Sequence, residues 1–339
     1  PLISIASNAR LILARFPRSL QLWKIGTPKA GAAKEMSKAT NGAKLAIEEG
    51  QLNLMELSLA KSTISSLTSS AISCSGKYIA TSDRKKLRVW SLEMSGMGEG
   101  TKVKLTKLTV PESIGAAQRI EFTPDEKSLV LCTFDGEICV CKMNEETATV
   151  ELSTKWESHS GRPLVSMALS SNGRWLASSD ISKTVHLFDL QALTHVTEIP
   201  AHGALCSALG FSAASDLLVI ATTDLRYHIW DIANNKLTDV SVATNAKAHM
   251  KTPVGEFAVS ITSSSTDPWY VYLASKSWIC RVPLTKVIDN PNNLQVLNRY
   301  QLVLHNDFLS DGSLVVVERP WMHVLQHLPE PFNYSRFGT

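Results

Sequence analysis

Residues 206–232 read CSALGFSAASDLLVIATTDLRYHIWDI, and this stretch decides the fold. Two apolar runs flank a small-residue turn, Ala213-Ala214-Ser215-Asp216. A tight turn around Asp224 then leads to a third run ending at Trp230 and Asp231. Short β-branched and apolar runs bounded by Ser, Asp, Gly, Asn and Pro read as strands joined by reversals. Working outward, three upstream segments repeat the pattern. They are SSAISCSGKYIATSDRKKLRVWSL (69–92), QRIEFTPDEKSLVLCTFDGEICVCKM (118–143) and VSMALSSNGRWLASSDISKTVHLFDL (165–190). Their first turns are Ser75-Gly76-Lys77, Pro124-Asp125-Glu126 and Ser171-Asn172-Gly173. Their third runs end at aligned positions, Trp90, Cys141, Phe188 and Trp230, separated by 51, 47 and 42 residues. That period suits a four-stranded unit.

Trp23, in SLQLWKIG, marks an earlier third strand, and the runs Gly255–Leu284 and Arg299–Leu328 supply two weaker units. Seven units follow, the first incomplete at Pro1. These marks resemble the WD40 family. The segment ending at Trp230 matches it best: His202 precedes it, Asp224 lies six residues before Trp230, and Asp231 completes the WD pair. The resemblance implies an all-β fold, a seven-bladed WD40-type β-propeller with degenerate repeats, as a single domain over residues 1–339. It also implies that such a His, a Ser or Thr, the turn Asp and the Trp form a buried hydrogen-bond chain. Elsewhere the pattern is eroded. The unit ending at Phe188 has His159 and Asp189 but Ser182 in place of the turn Asp. The unit ending at Cys141 keeps Asp135 and loses the Trp. The unit ending at Trp90 has Arg84 six residues upstream, with Asp83 beside it. Ring closure removes exposed strand edges, and we expect one blade to be shared between the two ends of the chain.

Residues 26–50, GTPKAGAAKEMSKATNGAKLAIEEG, carry no β pattern and read as a long basic inter-blade insertion. A Gly-rich stretch spans Ser95 to Gly100. The start at Pro1, directly in the strand-like run LISIA, points to a fragment of a longer protein.

The 339 residues are 44% apolar and 19% charged with a net charge of +3, a globular composition that does not by itself call for nucleic acid. No run of about 18 apolar residues, the length of a membrane helix, is present. The six cysteines, Cys74, Cys132, Cys139, Cys141, Cys206 and Cys280, lie in strand-like runs without zinc-ribbon or disulfide-framework spacing and read as buried packing. Cys139 and Cys141 share a strand face, but no second pair or spaced His pair accompanies them. His249, His305, His323 and His327 share no spacing with carboxylates. A His323/His327 pair would share a face only on a helix, and Pro320 and Pro329 leave room for a short one at most. No nucleophile elbow or phosphate-binding Gly loop occurs. The reading is therefore non-enzymatic, without cofactor, catalytic or metal-ligating residues.

Basic clusters are the functional signal. Arg84, Lys85, Lys86 and Arg88 crowd one tight turn and its following strand. Lys102, Lys104 and Lys107 follow in what reads as the next inter-blade connection. Lys29, Lys34, Lys38 and Lys44 lie in the insertion. Phosphate backbones are drawn to such patches, and a Lys-rich arm can order on RNA. An ordinary solvated surface is the competing reading, since no aromatic stacking platform interleaves with the clusters.

The end of the chain narrows the choice. DGSLVVVERPWMHVLQHLPEPFNYSRFGT couples Val317-Glu318-Arg319-Pro320, Leu328-Pro329-Glu330-Pro331 and Arg336-Phe337-Gly338-Thr339. This resembles the C-terminus of the cirhin family, tandem-propeller subunits of the UtpA (t-Utp) subcomplex of the small-subunit processome. The resemblance implies that the chain is mainly the C-terminal propeller, followed by a tail at 329–339. It implies a nucleolar scaffold that binds the five-prime external transcribed spacer of pre-rRNA and docks other UtpA and processome subunits, with neither membrane nor small-molecule substrate. The alternative is a generic WD40 protein–protein adaptor without RNA contact.

Overall fold

The computed structural model describes residues 2–29, 47–48, 50–60, 65–96, 100–157, 163–200, 203–247, 255–288, 294–319 and 321–326. Among them the strands form six four-stranded sheets and one two-stranded sheet, each antiparallel and each following chain order. These are the blades of a propeller. The first spans residues 3–58, the second 67–108, the third 117–156, the fourth 166–200, the fifth 206–237, the sixth 260–297 and the seventh 303–318. The aligned residues Trp23, Trp90, Cys141, Phe188 and Trp230 all fall on third strands.

Local chemistry explains the repetition. In four blades the inner strand is followed directly by a hydroxyl residue: Ser73, Thr123, Ser170 or Ser212. Its oxygen accepts the backbone N–H five residues on, at Tyr78 (3.0 Å), Ser128 (3.0 Å), Trp175 (2.8 Å) and Leu217 (3.2 Å). Each turn also has one left-handed corner, at Gly76, Glu126, Gly173 and Ser215, with φ between 59° and 78°. The hydroxyl thus occupies backbone donors that the hairpin reversal leaves unpaired.

The core is a series of layers between successive blades. Leu11, Leu13, Leu20 and Leu22 pack on Ile72, Ile79 and Leu92 between the first and second. Val130, Val140, Leu176 and Phe188 fill the space between the third and fourth. Val219, Ile229, Val271, Leu273 and Trp278 do so between the fifth and sixth. The inner strands of these last two approach so closely that a Cβ added at Gly210 would lie 2.6 Å from Cβ of Ile261. The fifth blade has a two-residue outer strand, Lys236–Leu237, and the helix Asp239–Lys247 covers what that leaves open. The Ile229 N–H donates to Ser241 Oγ (3.0 Å), and Asn245 Nδ2 donates to the Tyr227 carbonyl (2.9 Å). A strand edge is thereby satisfied by side chains.

Four expectations are corrected. The first blade is complete, because LISIA is its inner strand and LNLMELS (Leu52–Ser58) its outer one. It follows that the span 26–50, expected between blades, falls in chain order between the paired third and outer strands of the first blade; its residues 30–46 and 49 lie outside the described residues. Lys102, Lys104 and Lys107 do not sit in a connection either. They lie on the outer strand of the second blade, Lys102–Leu108. Finally, among the described residues no blade takes strands from both ends of the chain. The seventh blade instead meets the first by side contacts: the Ser310 N–H donates to the Ser7 carbonyl (3.4 Å), and Arg10 Nη1 pairs with Asp311 Oδ2 (2.6 Å).

Part of the WD hydrogen-bond chain lies among the described residues. The Thr222 hydroxyl donates to Asp224 Oδ1 (2.5 Å), while Trp230 Nε1 is buried with no acceptor among the described residues. His159 and His202, the expected partners, lie outside those residues, as do His249, His327 and the tail at 329–339. The run before that tail forms the short helix Trp321–Gln326.

Candidate nucleic-acid interface

In an antiparallel meander the second-to-third turns and the blade-to-blade connections share one rim, and the other two turns share the opposite rim. The turn carrying Arg84, Lys85 and Lys86 is a second-to-third turn. It therefore lies on the same rim as the connection from the second to the third blade, which begins after Leu108.

Asp83 builds this turn. It is 1% exposed. Its Oδ1 accepts the N–H groups of Lys85 (2.7 Å) and Lys86 (2.9 Å), and its Oδ2 takes the Arg88 guanidinium (2.8 Å). Burial favours the neutral acid, yet the Arg88 charge and the two N–H groups outweigh it and hold the carboxyl down to about 2. The backbone wrapped around one carboxylate leaves Arg84, Lys85 and Lys86 exposed. The turn is anchored to the next blade through Ser82. Its Oγ donates to the Lys86 carbonyl (3.2 Å) and accepts the Ala117 N–H (2.8 Å).

Lys85, Lys86 and Arg88 line a cleft of about 590 Å3 together with Lys107 of the outer strand and Glu112 of the connection. Its apolar parts come from Leu87, Leu108 and Ile114, each at most 4% exposed. Two of the three sequence clusters thus converge here in part, through four cations. None of the described residues lining the cleft is aromatic. Such a lining suits phosphate groups rather than stacked bases.

The other candidates are placed differently. Arg88 points into its ion pair, with its side chain 15% exposed. Lys102 and Lys104 sit toward the far end of the outer strand, opposite Ser95 and Glu93, whereas Lys107 sits opposite Trp90. At about 3.3 Å per residue, Lys102 is roughly 17 Å from Lys107. Lys104 is paired with Glu93 at 3.1 Å on the surface. Lys29 is exposed at the root of the third-to-outer connection of the first blade, on the opposite rim from the cleft. Lys34, Lys38 and Lys44 lie outside the described residues.

The sequence reading missed Asp83 as the organiser of the site and missed the contribution of the Val110–Gly115 connection. The first carried a signal, an Asp opening a tight turn. The second depends on which strand is outermost.

The six cysteines are free, and all but Cys74 are buried. Burial pushes the thiols of Cys139 and Cys141 up to about 11 and about 12. Two thiols kept neutral in an apolar layer are poor nucleophiles and poor metal ligands. His305 is similarly affected: burial holds its imidazole down to about 4. Among the described residues no helix is long and apolar enough to cross a membrane.

Comparison with known proteins adds the following. The family described as WD domain, G-beta repeat matches residues 150–189. That span holds the outer strand of the third blade and the first three strands of the fourth, so the sequence repeat is offset from the blade by one strand. The whole chain is 24% identical to the U3 small nucleolar RNA-associated protein 4 homolog of Mus musculus and 23% identical to that of Homo sapiens. It is 21% identical to U3 small nucleolar RNA-associated protein 4 of Schizosaccharomyces pombe. It covers 51% of each of the first two and 52% of the third, so the chain spans about half the length of these curated relatives. Among solved structures, a chain from the crystal structure of a mitotic checkpoint complex superposes with a TM-score of 0.61 at 14% identity. The match covers 94% of this chain and 83% of that one, a likeness of fold alone.

Proposed function

We propose that this WD40 propeller is a non-enzymatic scaffold in ribosome biogenesis. On this reading it is the C-terminal propeller of a tandem protein of the cirhin type, works in the nucleolus, contacts the five-prime external transcribed spacer of pre-rRNA and docks other UtpA and processome subunits. The observation that carries the reading is similarity along the entire chain to three proteins named for association with the U3 small nucleolar RNA. The RNA half is supported by the cleft, where Lys85, Lys86, Arg88 and Lys107 gather on one rim. Arg84, Lys85 and Lys86 supply exposed charge at its edge, while the Arg88 charge is taken up by Asp83.

The test is binding of pre-rRNA leader fragments across a salt series. Reversing Arg84, Lys85 and Lys86 to Glu should weaken binding at least about tenfold and reduce the logarithmic salt slope by roughly 2, at about 0.7 per phosphate contact on a single strand. Reversing Lys102 and Lys104 should do much less. Equal affinity and slope in the triple variant and the parent would remove the cleft from the proposal.

An adaptor without RNA contact is the second reading, because no aromatic residue among the described residues lining the cleft offers a surface for base stacking. It requires that UtpA subunits be recovered with the protein after nuclease treatment while the leader fragments show no affinity at moderate salt.

A further inference from the structure

On the fourth blade, the third strand Thr184–Asp189 pairs with the outer strand Thr194–Pro200 in the register His186↔Glu198 and Phe188↔His195. Residues 195 and 198 are three apart and in a regular strand would face opposite sides. A bulge between Leu187 and Phe188 in the register puts them on the same side. Bulges re-aim side chains in this way and recur beside functional sites.

The result is a set of three ligand-type side chains. His186 Nδ1 lies 3.3 Å from His195 Nε2 and 3.8 Å from Glu198 Oε1, and one ligand atom from each residue falls within 4.8 Å of the others. Tetrahedral zinc with bonds of about 2.0–2.1 Å separates its ligand atoms by about 3.3 Å. The His186–His195 separation already matches that spacing, and Glu198, at 3.8 Å from His186, has to swing closer to complete the shell.

The surroundings orient these ligands. His186 is 5% exposed, and its Nε2 lies 3.3 Å from Thr184 Oγ1. Thr184 Oγ1 is 2.7 Å from Ser182 Oγ, which donates to Asp180, 3% exposed. A hydroxyl relay ending on a buried carboxylate fixes the imidazole with Nδ1 toward His195 and Glu198, the kind of support that holds metal-binding histidines. The His195 ring packs edge-on against Phe188, 5.0 Å between centroids, and Phe188 packs on Trp156 of the preceding blade at 4.7 Å. His195 is half-buried and Glu198 exposed, so the cluster opens to solvent on one side.

We propose that His186, His195 and Glu198 form a binding site for a divalent cation of the zinc class, with a fourth position open to water. Two imidazoles and one carboxylate are the donor set such ions take. The ion ties the outer strand of the fourth blade to its third strand. The proposal is independent of the RNA reading, because the site lies two blades from the cleft.

The test is calorimetric titration of the full chain with zinc chloride, with cobalt(II) absorption as a second readout. The parent protein should bind one equivalent and give the bands of four-coordinate cobalt. His195→Gln and Glu198→Gln, both at positions open to solvent and thus expected to fold, should each weaken binding at least about tenfold. Thr184→Val, which cuts the relay, should weaken it by about 10–100-fold. Cys74→Ser, at the one cysteine that is not buried, should bind as the parent does. No binding at tens of micromolar zinc would overturn the proposal. So would unchanged affinity in both His195→Gln and Glu198→Gln, which would move the bound ion to other residues.

Discussion

Asp83 shows how a single carboxylate converts a basic turn into a shaped surface. It is almost fully enclosed, and its three partners are two backbone N–H groups and Arg88. Asp83→Asn leaves the largely buried Arg88 without its counter-charge. We expect a loss of about 3 kcal/mol in urea unfolding, within the range for breaking a buried pair. The pH dependence follows from a folded-state pKa held below its unfolded value. The stabilisation is complete above about pH 4 and is lost as pH falls toward about 2, so the parent and Asp83→Asn should converge in stability under acid. Glu121 behaves in the opposite sense. Burial raises its carboxyl to about 7, outweighing the Arg119 charge that lowers it, with Asp307 adding to the rise. Ionising it in the folded chain opposes folding, so stability falls as pH climbs from about 4.5 to about 7. Glu121→Gln should melt higher than the parent at pH 8, and the gap should close by pH 4.5.

At the scale of elements, the turn chemistry was legible in the sequence and the outer strands were not. Turns such as Ser75-Gly76-Lys77 and Ser171-Asn172-Gly173 announce themselves because their backbone angles restrict which residues fit. The hydroxyls directly after the inner strands recur as regularly, at Ser73, Thr123, Ser170 and Ser212. Ser170→Ala should cost about 1 kcal/mol in thermal or denaturant unfolding, the usual net value of one hydrogen bond. The outer strand KVKLTKL reads as a basic linker because it faces solvent on its outer side. Only Leu108 in it is fully buried; Val103 and Leu105 are half-buried and alternate with exposed Lys102, Lys104 and Thr106, a polar–apolar alternation that three lysines obscured. That is why Lys102, Lys104 and Lys107 were assigned to a connection, and why the span 26–50 was read as lying between blades. Gly210 is a different case. A Cβ there meets Ile261 of the next blade, so Gly210→Ala should destabilise by about 1–3 kcal/mol through overpacking.

For the molecule as a whole, the sequence period specified seven blades but not how the ring closes. Closure depends on contacts between residues about 300 positions apart, which no local pattern encodes. Here it uses the Arg10–Asp311 pair and the Ser310–Ser7 hydrogen bond. The Arg10 and Asp311 side chains are 18% and 40% exposed, so Asp311→Ala should cost less than about 1 kcal/mol overall. Its clearer signature should be faster amide exchange confined to the first and seventh blades. The ring also explains why clusters separated in sequence split between two rims: Lys85, Lys86 and Lys107 meet on one, while Lys29 roots the long connection on the other. The proposed scaffold therefore has one rim suited to phosphate and a second available for other contacts. The most direct test is ultraviolet crosslinking of the protein to pre-rRNA in cells, followed by identification of the crosslinked peptides. The account expects enrichment of the five-prime external transcribed spacer, with crosslinks in peptides spanning residues 84–88 and 107–115. Crosslinks confined to other parts of the chain, or no enrichment of the spacer, would contradict it.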